Sequence, residues 1–193
     1  MPRVKTATKE QSILDAATRV FAMRPYHEVL IDDIAADASI GKGTIYRYFP
    51  TKEDLYFATI LHGIDTLTDI AGRATEPEQH PARRLERIAV EILDFFWDRV
   101  HLFPLLPPQN VRNFDRHTEM LRRRGKLMRL VQETILAGIE RREFRGVDAR
   151  IAAEMFLGMV RSMVLFRAPE DTRHDLVDNV VGVFLQGLQR RDA

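Results

Sequence analysis

Apolar residues recur three and four positions apart along most of the 193-residue chain, and this spacing constrains the fold more than any other feature. The clearest stripe consists of Leu85, Ile88, Ala89, Ile92 and Phe96. Residues spaced in this way lie on one face of an α-helix, whereas a half-buried strand would alternate apolar and polar residues. We find no such alternation. The sequence therefore predicts an all-α fold of about nine helices.

A short helix, followed at once by the start of a second, is encoded around Ile45. Ile45 and Phe49 are four residues apart and form a thin core face. Pro50 ends the helix, because proline lacks an N–H and disfavours helical dihedrals at the residue before it. Thr51 then begins the next helix, with Asp54 three residues later in a capping-box arrangement. Polar side chains next to two helix N-termini suit the binding of a nucleic-acid backbone.

Another short helical stripe lies just before this polar helix. Its members are Ile31, Ile34, Ala35 and Ala38, and Ser39-Ile40-Gly41 form a short connection. Two short helices joined by a tight turn, with the polar groups on the second, predict a helix-turn-helix. We expect Lys42, Tyr46, Tyr48 and Lys52 to bind phosphates, and Gly43, Thr44 and Arg47 to approach base edges in the major groove of double-stranded DNA.

At these residues the chain resembles the DNA-binding region of TetR-type transcriptional repressors. The resemblance covers roughly residues 9–57 and is carried by Ile34-Ala35, Ala38 and the uninterrupted run from Lys42 to Leu55. It implies a dimer and a repression that a ligand relieves. Three positions depart from the family pattern. Ser39 stands where glycine is usual in the turn, Gly41 where serine or threonine is usual, and Val29-Leu30 where threonine begins the preceding helix.

Two domains are expected, with the boundary inside the fourth helix. Residues 1–55 would form the helix-turn-helix DNA-binding domain, and residues 56–193 a helical domain for effector binding and dimerisation. Residues 1–8 lack apolar periodicity, so we predict a mobile arm there, followed by a helix that Thr8 begins.

Composition and motifs narrow the possible functions. The chain has no cysteine, which excludes disulfides and thiolate chemistry. No apolar run is long enough to span a bilayer and no signal peptide is evident, so we expect a cytoplasmic protein without a membrane partner. No catalytic motif or tightly spaced metal-ligand set stands out, so we expect neither an enzyme nor a cofactor or metal. The competing hypotheses are a helical enzyme and a protein-binding adaptor.

Bulky and pliable side chains between Leu85 and Glu143 indicate a chamber for a small-molecule effector. The candidate residues are Phe96, Trp97, Phe103, His117, Met120, Arg124 and Met128. Such side chains line many ligand sites, although each residue taken singly is more commonly part of the core. Arg124 is expected on the apolar face of its helix, where a buried guanidinium needs either a protein carboxylate or an anionic ligand as its partner.

The last two predicted helices, residues 148–167 and 172–190, carry more apolar surface than one core needs. The predicted dimer-interface residues are Met155, Met159, Met163, Val177, Val181, Phe184 and Leu188. Helices that are apolar around most of their girth must be buried on both sides, and a four-helix contact between two copies would achieve this. The alternative is a deeply buried hairpin in a monomer. A two-fold dimer would bind an inverted-repeat operator.

Overall fold

The computed structural model of the protein describes residues 3–99, 101 and 114–188, and for residues 3–8, 114 and 117 it describes the backbone alone. Eight α-helices lie within these residues: α1 Arg3–Met23, α2 Ile31–Asp37, α3 Lys42–Tyr48, α4 Lys52–Thr75, α5 Pro81–Trp97, α6 Phe114–Glu140, α7 Ala149–Phe166 and α8 Arg173–Leu188. No strand occurs in this part of the chain, which confirms the all-α prediction. The sequence also predicts at most a short, broken helix between Pro104 and Asn113, because of Pro104, Pro107 and Pro108, and this segment lies outside the described residues.

The predicted start of the first helix is wrong. Helix α1 begins at Arg3, five residues before Thr8, so residues 3–8 continue the helix instead of forming an irregular arm. No glycine or proline interrupts this segment, and its alanine and lysine residues favour helix. Nothing in the sequence of residues 3–8 therefore stops the helix from beginning before Thr8.

Contacts along the chain divide it into two compact units, residues 1–65 with 98–112 and residues 66–97 with 113–193. The first unit has a core made by α1, α2, α3 and the start of α4, with Ile13, Ala17, Phe21, Ile34, Ile45 and Leu55 among its buried residues. Ile45 and Phe49 are both buried, as their spacing predicts. Burial of two such side chains stabilises the fold by about 1.5–3 kcal/mol each, which holds α3 against the unit.

The second unit is built on α5, which packs against α6, α7 and α8. All five residues of its predicted stripe are buried, and so are Val131 and Ile135 of α6 and Phe156 of α7. Helix α7 begins after Asp148, whose carboxylate accepts a hydrogen bond from the Ile151 N–H at 3.0 Å. None of the helices in the described ranges is long and apolar enough to cross a bilayer.

Candidate nucleic-acid interface

The turn between α2 and α3 holds Ser39 in the left-handed region, at φ 54°. The Ile40 N–H closes this turn by donating to the Ala35 carbonyl at 3.0 Å. A residue with a Cβ atom is disfavoured in this conformation, whereas glycine adopts it freely. The geometry therefore supplies the physical reason for a glycine at this position of the turn, and Ser39 occupies it with some backbone strain.

Helix α3 buries one face and exposes the other. Ile45 is fully buried, while Lys42, Gly43, Tyr46 and Arg47 are exposed. Thr44 and Tyr48 are half-buried, and the Arg47 guanidinium lies 5.7 Å from the centre of the Tyr48 ring. The structure thus places all six predicted contact residues of α3 together on one short helix, with Lys42, Tyr46 and Arg47 exposed and Tyr48 packed partly against the core.

Two glycines at the start of α3 have no packing role within the protein. Gly41 is the N-cap residue, as predicted, and makes no side-chain capping bond. A Cβ atom added at Gly41 or Gly43 would meet no atom within 4 Å, and neither residue has a positive φ. Their small size leaves the backbone N–H groups at this helix end open to close approach by a partner.

The start of α4 confirms the predicted capping box. The Thr51 N–H donates to Asp54 Oδ2 at 3.0 Å, and the Asp54 N–H donates to Thr51 Oγ1 at 3.0 Å. The two residues satisfy each other's backbone donors, so Pro50 and Thr51 together set where α3 ends and α4 begins. Lys52 follows as the first residue of α4.

An aromatic cluster supports Lys52, and the sequence offered no signal for it. The Lys52 Nζ atom lies 4.4 Å from the centre of the Tyr26 ring. Tyr26 contacts Tyr56 at a ring separation of 4.8 Å, and Tyr56 meets Phe21 edge-on at 4.9 Å. Loss of hydration lowers the pKa of Lys52, and burial raises the pKa of Tyr56. Lys52 is therefore held over an aromatic face near the start of α4.

The acidic side chains of α2 neutralise three basic residues of this unit. Asp32 pairs with Lys42 at 2.8 Å, Asp33 with Arg24 at 2.7 Å and Asp37 with Arg19 at 2.6 Å. The hydrogen bond that Lys42 donates to Asp32 raises the pKa of Lys42. The Leu30 N–H, which caps the start of α2, lowers the pKa of Asp33, and Arg24 adds to the effect. These pairings, which were not predicted, join α2 to α1, to Arg24 just after α1, and to α3.

The predicted effector residues fall into distinct environments in the second unit. Phe96 is buried, and Trp97, Met120 and Met128 are half-buried. Arg124 is exposed, not buried, and its guanidinium pairs with Glu154 of α7 at 2.5 Å. Of the two partners considered for Arg124, the structure therefore shows a protein carboxylate. Phe103 and the side chain of His117 lie outside the description.

The predicted dimer residues also differ in exposure. Met155 is 59% exposed, and Met159 and Met163 are half-buried. In contrast, Val177, Val181, Phe184 and Leu188 are buried within the single chain.

Two apolar residues outside that prediction are also exposed, Ile151 at 47% and Val183 at 62%. They line, with Met155, a surface groove of about 440 Å³ between α7 and α8. The spacing of apolar residues could not tell these exposed positions from the buried ones on the same helices.

Comparison with known proteins finds similarity to bacterial regulators. Residues 13–59 match the profile of the family described as bacterial regulatory proteins, tetR family. The chain is 24% identical over 193 residues to the fatty acid metabolism regulator protein of Bacillus subtilis (strain 168), covering 95% of this chain and 97% of that protein.

Solved structures share the fold across both units. A putative transcriptional regulator from Saccharomonospora viridis, in complex with choline, has a TM-score of 0.82 at 19% identity and covers 96% of this chain and 100% of its own. The regulator AibR, in complex with isovaleryl coenzyme A and operator DNA, has a TM-score of 0.70 at 23% identity and covers 91% of this chain and 97% of its own.

Proposed function

We propose that this chain is a TetR-type DNA-binding transcriptional regulator, and that it is a repressor that binds an inverted-repeat operator as a homodimer and leaves it when a small-molecule effector binds. The observation that carries this proposal is the exposed face of α3, with Lys42, Tyr46 and Arg47 in solvent above a buried Ile45. A short helix anchored by one apolar face and covered with donors on the other is suited to the major groove.

We assign phosphate binding to Lys42, Tyr46, Tyr48 and Lys52 and base-edge approach to Gly43, Thr44 and Arg47. The open space around Gly43 supports a close backbone approach to DNA. The cation–π contact of Lys52 with Tyr26 supports a fixed position for its ammonium group. In this proposal residues 1–55 bind DNA, residues 56–193 bind the effector and the second copy, and the protein acts in the cytoplasm without catalysing a reaction.

The proposed dimer interface is the exposed apolar face of α7 and α8. Ile151, Met155 and Val183 are each about half exposed or more, and they flank one groove. Contiguous exposed apolar side chains of this kind mark protein contacts. Met159 and Met163 extend the face along α7, whereas Val177, Val181, Phe184 and Leu188 would support it from beneath. A two-fold contact of α7 and α8 would place two helix-turn-helix units on one duplex.

We propose that the effector binds in the helical second unit, near Phe96, Trp97, Phe103, His117, Met120, Arg124 and Met128. Similar proteins have been solved with isovaleryl coenzyme A and with choline, which supports a small-molecule effector. These two ligands carry opposite charges, so they do not agree on the charge of the effector. The Glu154 carboxylate already pairs with the Arg124 guanidinium, so an effector that contacts Arg124 would have to share that guanidinium with Glu154 or displace Glu154.

Fluorescence anisotropy tests the proposed DNA binding. Labelled DNA from the promoter of the protein's own gene and a random duplex of equal length would be titrated at two salt concentrations. We expect tighter binding to the promoter and a steep loss of affinity with salt, because Lys and Arg contacts release counterions from DNA. Equal affinity for both duplexes would contradict sequence-specific regulation, and an absence of DNA binding would favour the adaptor.

Tyr46→Ala is the informative variant in this assay. We expect about tenfold weaker promoter binding with an unchanged dimer mass in sedimentation. Leu136→Ala is the matched control, since Tyr46 and Leu136 are both 41% exposed and Leu136 lies on α6 in the second unit. If both variants bind the promoter like the parent protein, Tyr46 is not a DNA contact.

A further inference from the structure

Two arginines converge on Trp97, which is the single tryptophan of the chain. The Arg167 guanidinium lies 4.2 Å from the centre of the indole ring, and the Arg173 guanidinium lies 5.2 Å from it. Trp97 is the last residue of α5, Arg167 is the C-cap residue of α7, and Arg173 is the first residue of α8. Three helix ends of the second unit thus meet at one half-buried indole.

The two arginines differ in how their charge is compensated. Arg173 donates to Asp94 at 2.8 Å, so a carboxylate of α5 neutralises it. The Nη1 atom of Arg167 is buried and has no hydrogen-bond partner among the described residues. A buried donor on a charged group that makes no hydrogen bond is costly and calls for a partner. The indole attracts the guanidinium but offers it no acceptor.

We propose that Arg167 binds the oxyanion, carboxylate or phosphate, of an organic anion, and that this anion is the effector of the proposed repressor. Oxyanions satisfy the N–H groups of a guanidinium by charge-assisted hydrogen bonds, often two in parallel. The indole face holds the guanidinium in place for this contact, so little rotamer freedom is lost when the anion binds. The inference rests on the proposed function only in taking the anion to be the effector.

A second arginine supplies a control. The Nε atom of Arg84 is also buried without a hydrogen-bond partner in the described part of the chain. Arg84 precedes Trp97 on the same helix by about 20 Å along the helix axis. Substitution of Arg84 therefore removes a guanidinium with a similarly buried N–H group, and it leaves the site around the Trp97 indole unchanged.

The emission of Trp97 tests the inference directly in the DNA-free full-length protein. Four probes would be titrated: octanoate as a carboxylate, isovaleryl coenzyme A as a phosphate-bearing thioester, inorganic phosphate, and choline as a probe of opposite charge. We expect a saturable change in emission with octanoate or isovaleryl coenzyme A, and the responding probe distinguishes a carboxylate from a phosphate source. Arg167→Gln should weaken that binding about tenfold or more, because one charge-assisted hydrogen bond is lost.

Two further variants make the result interpretable. Arg84→Gln should leave the affinity within about twofold of the parent. Arg167→Lys keeps the charge but loses the planar fork of N–H donors. It should therefore weaken anion binding and keep the parent's melting temperature. This variant keeps the test possible if Arg167→Gln does not fold. An anion response that survives Arg167→Gln at the parent's affinity overturns the proposal, as does the absence of any response to the three anions.

The outcome is separable from that of the DNA-binding assay. A protein that binds its promoter specifically, but whose Trp97 emission ignores every anion, refutes this inference and leaves the repressor proposal intact. If the protein binds the anion through Arg167 but binds no DNA, the repressor proposal is refuted. The anion site at Arg167 then stands, in a protein with a different function.

Discussion

The Nζ atom of Lys42, at the start of α3, lies 2.8 Å from Oδ2 of Asp32 on α2. Both side chains are substantially exposed, 46% and 64%, so the pair adds little to the stability of the fold. Its effect on a partner is larger, because a phosphate that approaches Lys42 meets a carboxylate beside it. In the DNA-free protein a proposed phosphate anchor is thus already paired with an acid.

Replacement of Asp32 tests whether this pair restrains DNA binding. We expect Asp32→Asn to raise affinity several-fold for both promoter and random DNA, because it frees Lys42 and removes a negative charge. The plot of log affinity against log salt should steepen by about one unit, as one more cation is available to phosphate. Asp37→Asn is the control, since Asp37 lies on the same helix as Asp32 and pairs with Arg19 of α1 instead of Lys42. Unchanged affinity for Asp32→Asn would show that Lys42 does not contact phosphate.

The contact between Lys52 and Tyr26 should affect the affinity for DNA only through the position of the Lys52 ammonium group. An exposed cation–π contact contributes about 0.5–1 kcal/mol, so Tyr26→Leu should weaken promoter binding about two- to fivefold. Tyr26→Phe keeps the ring and should bind like the parent. In a Lys52→Met background Tyr26→Leu should have no further effect, which a double-mutant cycle by anisotropy measures. Additive losses would mean that Tyr26 acts through the fold of the unit.

The turn residue Ser39 should be improvable. At φ 54° a serine is strained and glycine is not, so Ser39→Gly should raise the free energy of unfolding by about 0.5–1 kcal/mol, after allowance for the extra freedom of glycine in the unfolded chain. Urea denaturation measures the change. Ser12→Gly, at an exposed site inside α1, should instead destabilise the protein by about 0.5 kcal/mol. A loss of stability at both sites would refute the strain argument.

Gly138 of α6 should tolerate no side chain. A Cβ atom there would overlap the buried ring of Phe144, whose Cγ atom would lie 2.8 Å away. Gly138→Ala should therefore destabilise the protein by about 2 kcal/mol through overpacking. Gly125→Ala, on the same helix with only Arg129 nearby at 3.6 Å, should stabilise it by about 0.5–1 kcal/mol. Chemical denaturation of the two variants should give opposite signs, and equal effects would contradict the packing assignment.

The stability contributed by Glu119 should depend on pH. Hydrogen bonds from Arg122 and then Arg123 lower the pKa of Glu119 from its ordinary value of 4.5 to about 2. A carboxyl whose pKa is lowered on folding stabilises the folded state above its unfolded pKa and loses that effect as pH falls towards the folded value. The difference in melting temperature between the parent and Glu119→Gln should therefore shrink as pH falls from about 4.5 towards about 2. A difference that is constant over this range would contradict the pairing.

Much of the proposed DNA-binding site was predictable because its signals are local. The predictions that succeeded each depend on residues within four positions of each other. They are Gly41 as N-cap, the burial of Ile45 and Phe49, and the capping box of Thr51 and Asp54. The start of α1 was mispredicted for a related reason. A possible cap at Thr8 does not begin a helix when the residues before it are themselves helix formers.

By itself the sequence determined the helical class, most helix ends and the face of each helix that is apolar, since these follow from spacing, caps and prolines. Only the tertiary structure decided which charges meet, such as Lys42 with Asp32 and Arg124 with Glu154, and which apolar positions of α8 are covered, Val177 but not Val183. It also decided that Arg167 lies over Trp97. The physical reason is that these contacts depend on how separate helices dock, and no pattern within one helix records its neighbour.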